Sequence, residues 1–85
     1  ERAGEGWSLH WKSSAAEPEQ AYVVLELKQA GAMPRALLLL DTTTGRYLPA
    51  IRLTQVHDGQ GQAVVDMDSD AIRALRNPDY EVQPV

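Results

Sequence analysis

Three aspartates at alternate positions, Asp66, Asp68 and Asp70, form the densest cluster of potential ligands in this sequence. Their one-three-five spacing is that of a calcium loop, and an EF-hand loop also needs glycine at the sixth place and glutamate at the twelfth. Ala71 and Asn77 stand there instead. A solvated strand end followed by helix capping from Asp68 or Ser69 accounts for the same residues, and cation binding is the open alternative. His10 and His57 are the two histidines, and neither has a second ligand at zinc spacing. Nothing in the spacing arranges His57, Asp58 and a serine as base, orienter and nucleophile. With no cysteine, thiolate chemistry and disulfides are excluded. The expectation is a non-enzymatic chain with no catalytic site, cofactor site or metal site.

Two other groups bear on binding. Trp7 and Trp11 alternate with Leu9, so both indoles lie on one strand face. A flat aromatic pair can stack on sugar rings or anchor a partner. The chain has no phenylalanine, so the same rings are also its obvious core fillers. The second group is the run Leu37-Leu38-Leu39-Leu40. A strand in a two-layer sandwich buries one face and wets the other, yet both faces here are leucine. Something must cover the second face: an intramolecular element or a neighbour. For the second case the expected contact residues are Leu37 and Leu39, together with an exposed sheet edge at Tyr47, Leu48, Pro49 and Ala50.

The elements that position these groups read mainly as strands. Residues 7–11 alternate cleanly. In residues 22–28, Val23, Leu25 and Leu27 share one side, with Glu26 and Lys28 on the other, and adjacent valines favour a strand. Against this, Ser14 followed by Glu17 resembles a helix capping box, which leaves a helix over 15–30, stopped by Gly31, as the alternative. Residues 35–41 form a short strand bounded by Pro34 and the turn Asp41-Thr42-Thr43-Thr44-Gly45. Pro49 interrupts the next strand because it has no N–H for a ladder. Residues 51–56 alternate again, with Ile51 and Leu53 inward. Asp58-Gly59 predicts a tight hairpin, followed by a strand with Ala63, Val65 and Met67 on one face. A short helical turn over 71–76 ends at Asn77-Pro78, and a last strand starts at Tyr80.

The predicted fold is all-β: a small antiparallel sandwich of about six to seven strands with one helical turn near 71–76. The alternative is α+β, with the 15–30 helix on a four-stranded sheet. Residues 1–6 are expected as a flexible lead-in and 7–85 as one domain. Glu1 opens the chain without methionine, so the expectation is a domain excised from a longer protein.

The stretch from Leu40-Asp41-Thr42-Thr43-Thr44-Gly45 through Leu48-Pro49-Ala50-Ile51-Arg52-Leu53 resembles the transthyretin-like and carboxypeptidase-regulatory-like sandwich domains. The Asp58-Gly59-Gln60-Gly61 hairpin and the closing Leu75-Arg76-Asn77-Pro78-Asp79-Tyr80-Glu81-Val82 fit the same pattern, and Tyr80 is also similar to the tyrosine corner of immunoglobulin-like folds. The resemblance covers about half the chain. It implies an accessory or interaction module, commonly extracytoplasmic, and carries over no functional residue.

Composition narrows the partners. The 85 residues carry a net charge of −4, with eight basic side chains. No basic patch is visible, so nucleic acid and anionic membrane surfaces are poor partners. The longest apolar run, residues 36–40, is far short of a membrane span. What remains is a protein partner, a neighbouring domain of the same chain or a second copy in a homo-oligomer. The runner-up is a carbohydrate or other ligand held by Trp7 and Trp11. A bacterial, periplasmic or secreted setting is favoured.

Overall fold

The computed structural model describes residues 1–28 and 31–85. Nine strand segments and one helix are found among them. They are β1 (Arg2–Gly4), β2 (Trp7–Ser13), β3 (Gln20–Leu27), β4 (Ala36–Asp41), β5 (Arg46–Tyr47), β6 (Ile51–Arg52), β7 (Gln55–His57), β8 (Gln60–Asp66), α1 (Asp70–Leu75) and β9 (Tyr80–Pro84). Sheet I runs β1-β2-β3-β8-β7. In sheet II, β4 pairs with β9 along one side and with β5 and β6 in succession along the other. Every pairing is antiparallel. The fold is therefore a small all-β sandwich. Its extents of 33 × 33 × 18 Å suit two layers about 10 Å apart.

The interior follows from period two. Ala21, Val23 and Leu25 of β3 are fully buried, with Leu9 of β2 and Ala63 of β8 beside them. From sheet II, Leu37, Leu39, Ile51 and Val82 face them. The helix α1 carries the chain from sheet I to sheet II and contacts β4, β8 and β9. Its Ile72, Ala74 and Leu75 are buried. Ser69 caps it by accepting a hydrogen bond from the Ile72 N–H. Gly61 faces inward where Leu53 and Met33 crowd in, so a Cβ there would lie 2.9 Å from a side-chain carbon of each. A larger residue would have to push the ends of both side chains aside.

Several expectations change. Residues 20–27 are strand, so the helix over 15–30 is not formed; its last two positions lie outside the described residues. The Ser14 signature is nonetheless real. Its hydroxyl accepts the Glu17 N–H as a cap would, and the chain then turns into β3 instead of winding on. The expected strand over 51–56 is two segments in different sheets. Leu53 donates its N–H to Arg35 beside sheet II, and Thr54 donates to Gln62 of sheet I, so the corner falls between them.

The expected flexible lead-in, residues 1–6, instead supplies β1, paired with β2. The reason lies in Arg2, whose side chain donates to the carbonyls of Ala74, Leu75, Asn77 and Tyr80. The last carbonyls of a helix have no partner within it, and a guanidinium has five donors in a fixed fork. One residue thus closes the C-terminal end of α1 and ties β1 to β9.

The inward parity of β4 can be measured. Leu37→Ala and Leu39→Ala should each cost about 2–4 kcal/mol in urea denaturation. Leu38→Ala and Leu40→Ala should cost no more than about 1 kcal/mol. Equal losses on both faces would contradict the assignment.

Candidate functional site

The sandwich has two outer faces, and their chemistry differs. On sheet I the register gives rows Ser8–Glu26–Gln60, His10–Val24–Gln62 and Lys12–Tyr22–Val64. Polar and apolar side chains intermix, and Gln60 donates to Glu26 across the strands. This is an ordinary wetted face. On sheet II the middle strand presents Ala36, Leu38 and Leu40, all half-buried and without a polar residue among them.

Register places the surroundings of that stripe. Leu40 is paired with Tyr47 on one side and Glu81 on the other, Leu38 with Gln83, and Ala36 with Arg52. Val85 exchanges hydrogen bonds with Ala36 beyond the end of β9. Because Pro84 is paired with inward Leu37, Val85 points outward. Tyr47 and Val85 are 53% and 57% exposed and are two of the four large apolar side chains most open to water. The Tyr47 hydroxyl donates to Oε1 of Gln83 at 3.1 Å, from the strand on one side of β4 to the strand on the other. The phenol therefore spans β4 and shelters part of the leucine stripe. Glu81, Gln83 and Arg52 form a polar rim. An apolar centre, a flat aromatic and a polar rim make the anatomy of a protein contact surface.

The residues named from sequence divide between this surface and the core. Leu37 and Leu39, the expected docking pair, have zero exposure and lie between the sheets. The outward pair is Leu38 and Leu40. The four leucines give no local sign of parity; their cross-strand neighbours decide it. Leu39 is paired with Val82 and Leu37 with Ile51, both buried, whereas Leu38 and Leu40 are paired with polar residues of β9. Tyr47 is on the surface as expected. Leu48 packs against the core, and its N–H is taken by the Leu39 carbonyl. Pro49 has no N–H, so the edge around Tyr47 to Ala50 has few backbone groups with which to pair another strand.

Trp7 and Trp11 both point inward, half-buried against the core. The Trp7 indole lies directly over Gly4, its cross-strand partner, where any Cβ would collide with the ring. It also lines a groove of about 400 Å³ between the β1 and β9 edges, with Arg2, Tyr80 and Val82. The pair does not form an open double platform for a sugar.

The titratable candidates are dispersed. His10 lies on β2 and His57 on β7, three strand spacings apart in sheet I, which is about 14 Å. His57 Nε2 is 3.0 Å from its neighbour Asp58, with both side chains more than 80% exposed. Asp66 lies at the opposite end of β8 from the His57 hairpin. Asp70 pairs with Arg73 on α1, and the Asp68 carbonyl accepts from the same guanidinium. Among the described residues no group of three His, Asp or Glu side chains is placed to hold a metal ion. Among them, too, no helix is long and apolar enough to cross a membrane.

Comparison with known proteins finds no matching family model, no matching curated protein and no matching solved structure. What can be said of class rests on the fold itself, a two-sheet antiparallel sandwich with one crossover helix.

The seat of Trp7 is open to test. With Trp11→Phe leaving Trp7 the sole emitter, Gly4→Ala should shift its fluorescence to the red and increase acrylamide quenching, because the indole must leave its seat. The same change should cost about 1–3 kcal/mol by overpacking. Unchanged emission would mean the ring does not rest on Gly4.

Proposed function

We propose that this chain is a non-catalytic protein-interaction module of a larger, bacterial extracytoplasmic protein, and that it binds through the outer face of sheet II. The observation that carries the reading is the stripe Ala36, Leu38 and Leu40, with Tyr47 and Val85 beside it. Among the described residues no element packs over it, since α1 sits at the inner side against buried residues. Burying such a face returns about 25 cal/mol for each Å² of apolar surface removed from water.

Two further features favour binding over chemistry. Among the described residues every buried side-chain nitrogen or oxygen has a hydrogen-bond partner. An active site instead tends to gather polar groups in a pocket with their ordinary partners withheld. The histidines and the aspartate cluster also lie on separate parts of the molecule. The outer-face reading keeps the logic of the leucine run and corrects its parity. The carbohydrate reading is weaker, because Trp7 and Trp11 serve the interior.

Photo-crosslinking tests the assignment. A benzophenone amino acid at position 47 should capture a polypeptide when irradiated in the producing cell. The same probe at Val64, 49% exposed on the other sheet, should capture none. Equal capture at both positions, or none at position 47, would defeat the proposal.

A further inference from the structure

We propose that the partner seated on this face is a second copy of the chain, docked sheet to sheet with the two β4 strands crossed at a steep angle. The inference rests on the interface reading above and names its occupant from the charges on the rim. Arg52 lies beside Ala36, and Glu81 lies beside Leu40 across β4. They occupy opposite corners of the face, four residues apart along β4 and two strand spacings apart across it. That is roughly 16 Å, too far for an ion pair within one molecule. Both are exposed, and among the described residues neither has an ion-pair partner. The other two corners hold Tyr47 and Val85.

Two-fold symmetry then selects one arrangement. An isologous contact needs an axis lying in the plane of the face. An axis along β4 sets Arg52 against Val85 and Glu81 against Tyr47 of the second copy. An axis across β4 sets Arg52 against Tyr47 and Glu81 against Val85. Either sets one charge of each copy on the aliphatic Val85 and leaves both charges without an opposite partner. The diagonal through Arg52 and Glu81 brings like charges together. The diagonal through Tyr47 and Val85 places Arg52 of each copy on Glu81 of the other, twice. It also sets Leu38 on Leu38 at the centre, Tyr47 on Tyr47 and Val85 on Val85. The strands of the two sheets then cross in the orthogonal class of sheet packing. The face is about 15 Å in each direction, small beside a standard interface of about 800 Å² per partner. The dimer therefore forms in a concentration-dependent equilibrium.

Sedimentation equilibrium on the whole chain, from about 10 μM to about 1 mM, reads the association directly. Dimer should accumulate over this range and recede as salt rises. Leu38→Asp should abolish it. Arg52→Glu and Glu81→Arg should each weaken it at least about tenfold, and the two together should restore it to within about threefold. Both exposed sites tolerate exchange, and circular dichroism of each variant confirms its fold. A wild-type monomer throughout the range, or a double swap no better than either single one, overturns the dimer. If the position 47 probe meanwhile captures a different polypeptide, the interface reading survives without it. Capture of a species at twice the chain's mass supports both.

Discussion

The pleat of β4 is the constraint on which this molecule turns. An unbulged strand sends successive side chains to opposite faces, and β4 is paired with β9 residue for residue, so its run of leucines cannot all be interior. Leu37 and Leu39 are at zero exposure because Val82, Ile51 and sheet I close over them. Leu38 and Leu40 must then look outward, whatever their hydrophobicity. Turning β4 and β9 over together, with their pairing kept, would exchange the pairs. It would also drive Glu81 and Gln83 into the interior unpaired, at a cost far above any gain in leucine burial. The polar residues of β9 thus lock the parity of an apolar strand.

Most of the framework is legible in the amino-acid sequence, and what is not legible has a physical cause. Alternation in β2 and β8, and the adjacent valines Val23 and Val24 in β3, announce strands. Asp58 and Gly59, both at positive φ, form the expected hairpin. Helix α1 has its cap at Ser69 and stops before Asn77-Pro78. The parity of β4 is illegible because the deciding information lies in strand partners distant along the chain. The corner at Leu53 and Thr54 is hidden because residues 51–54 alternate right up to it; period two reports which way a residue faces, not which sheet it belongs to. Arg2 carries no local signal, because short polar ends rarely order unless something tethers them, and its acceptors are over seventy residues distant.

The edges of the two sheets are guarded against strand addition. β1 and β7 are three residues each, and β5 and β6 are two each with Pro49 between. On β9 the outward-facing groups of Tyr80 are already used, its N–H by Asn77 and its carbonyl by Arg2, and Pro84 has no N–H to offer. Short, interrupted or occupied edges resist the addition of foreign strands.

The Arg2 clasp has a consequence for the order of assembly. Its acceptors lie in α1, in the turn after it and at the start of β9. A domain emerging vectorially from the ribosome therefore holds the guanidinium without a mate until α1 has appeared, and without its full set until β9 begins. The hairpin of β1 and β2 can form early, but its docking waits for the finish. Closing a loop of that span is a slow event compared with local hairpin formation. The nascent domain stays open along one seam until its closing strand is made, and that seam is where premature proteolysis or misassociation would first gain entry.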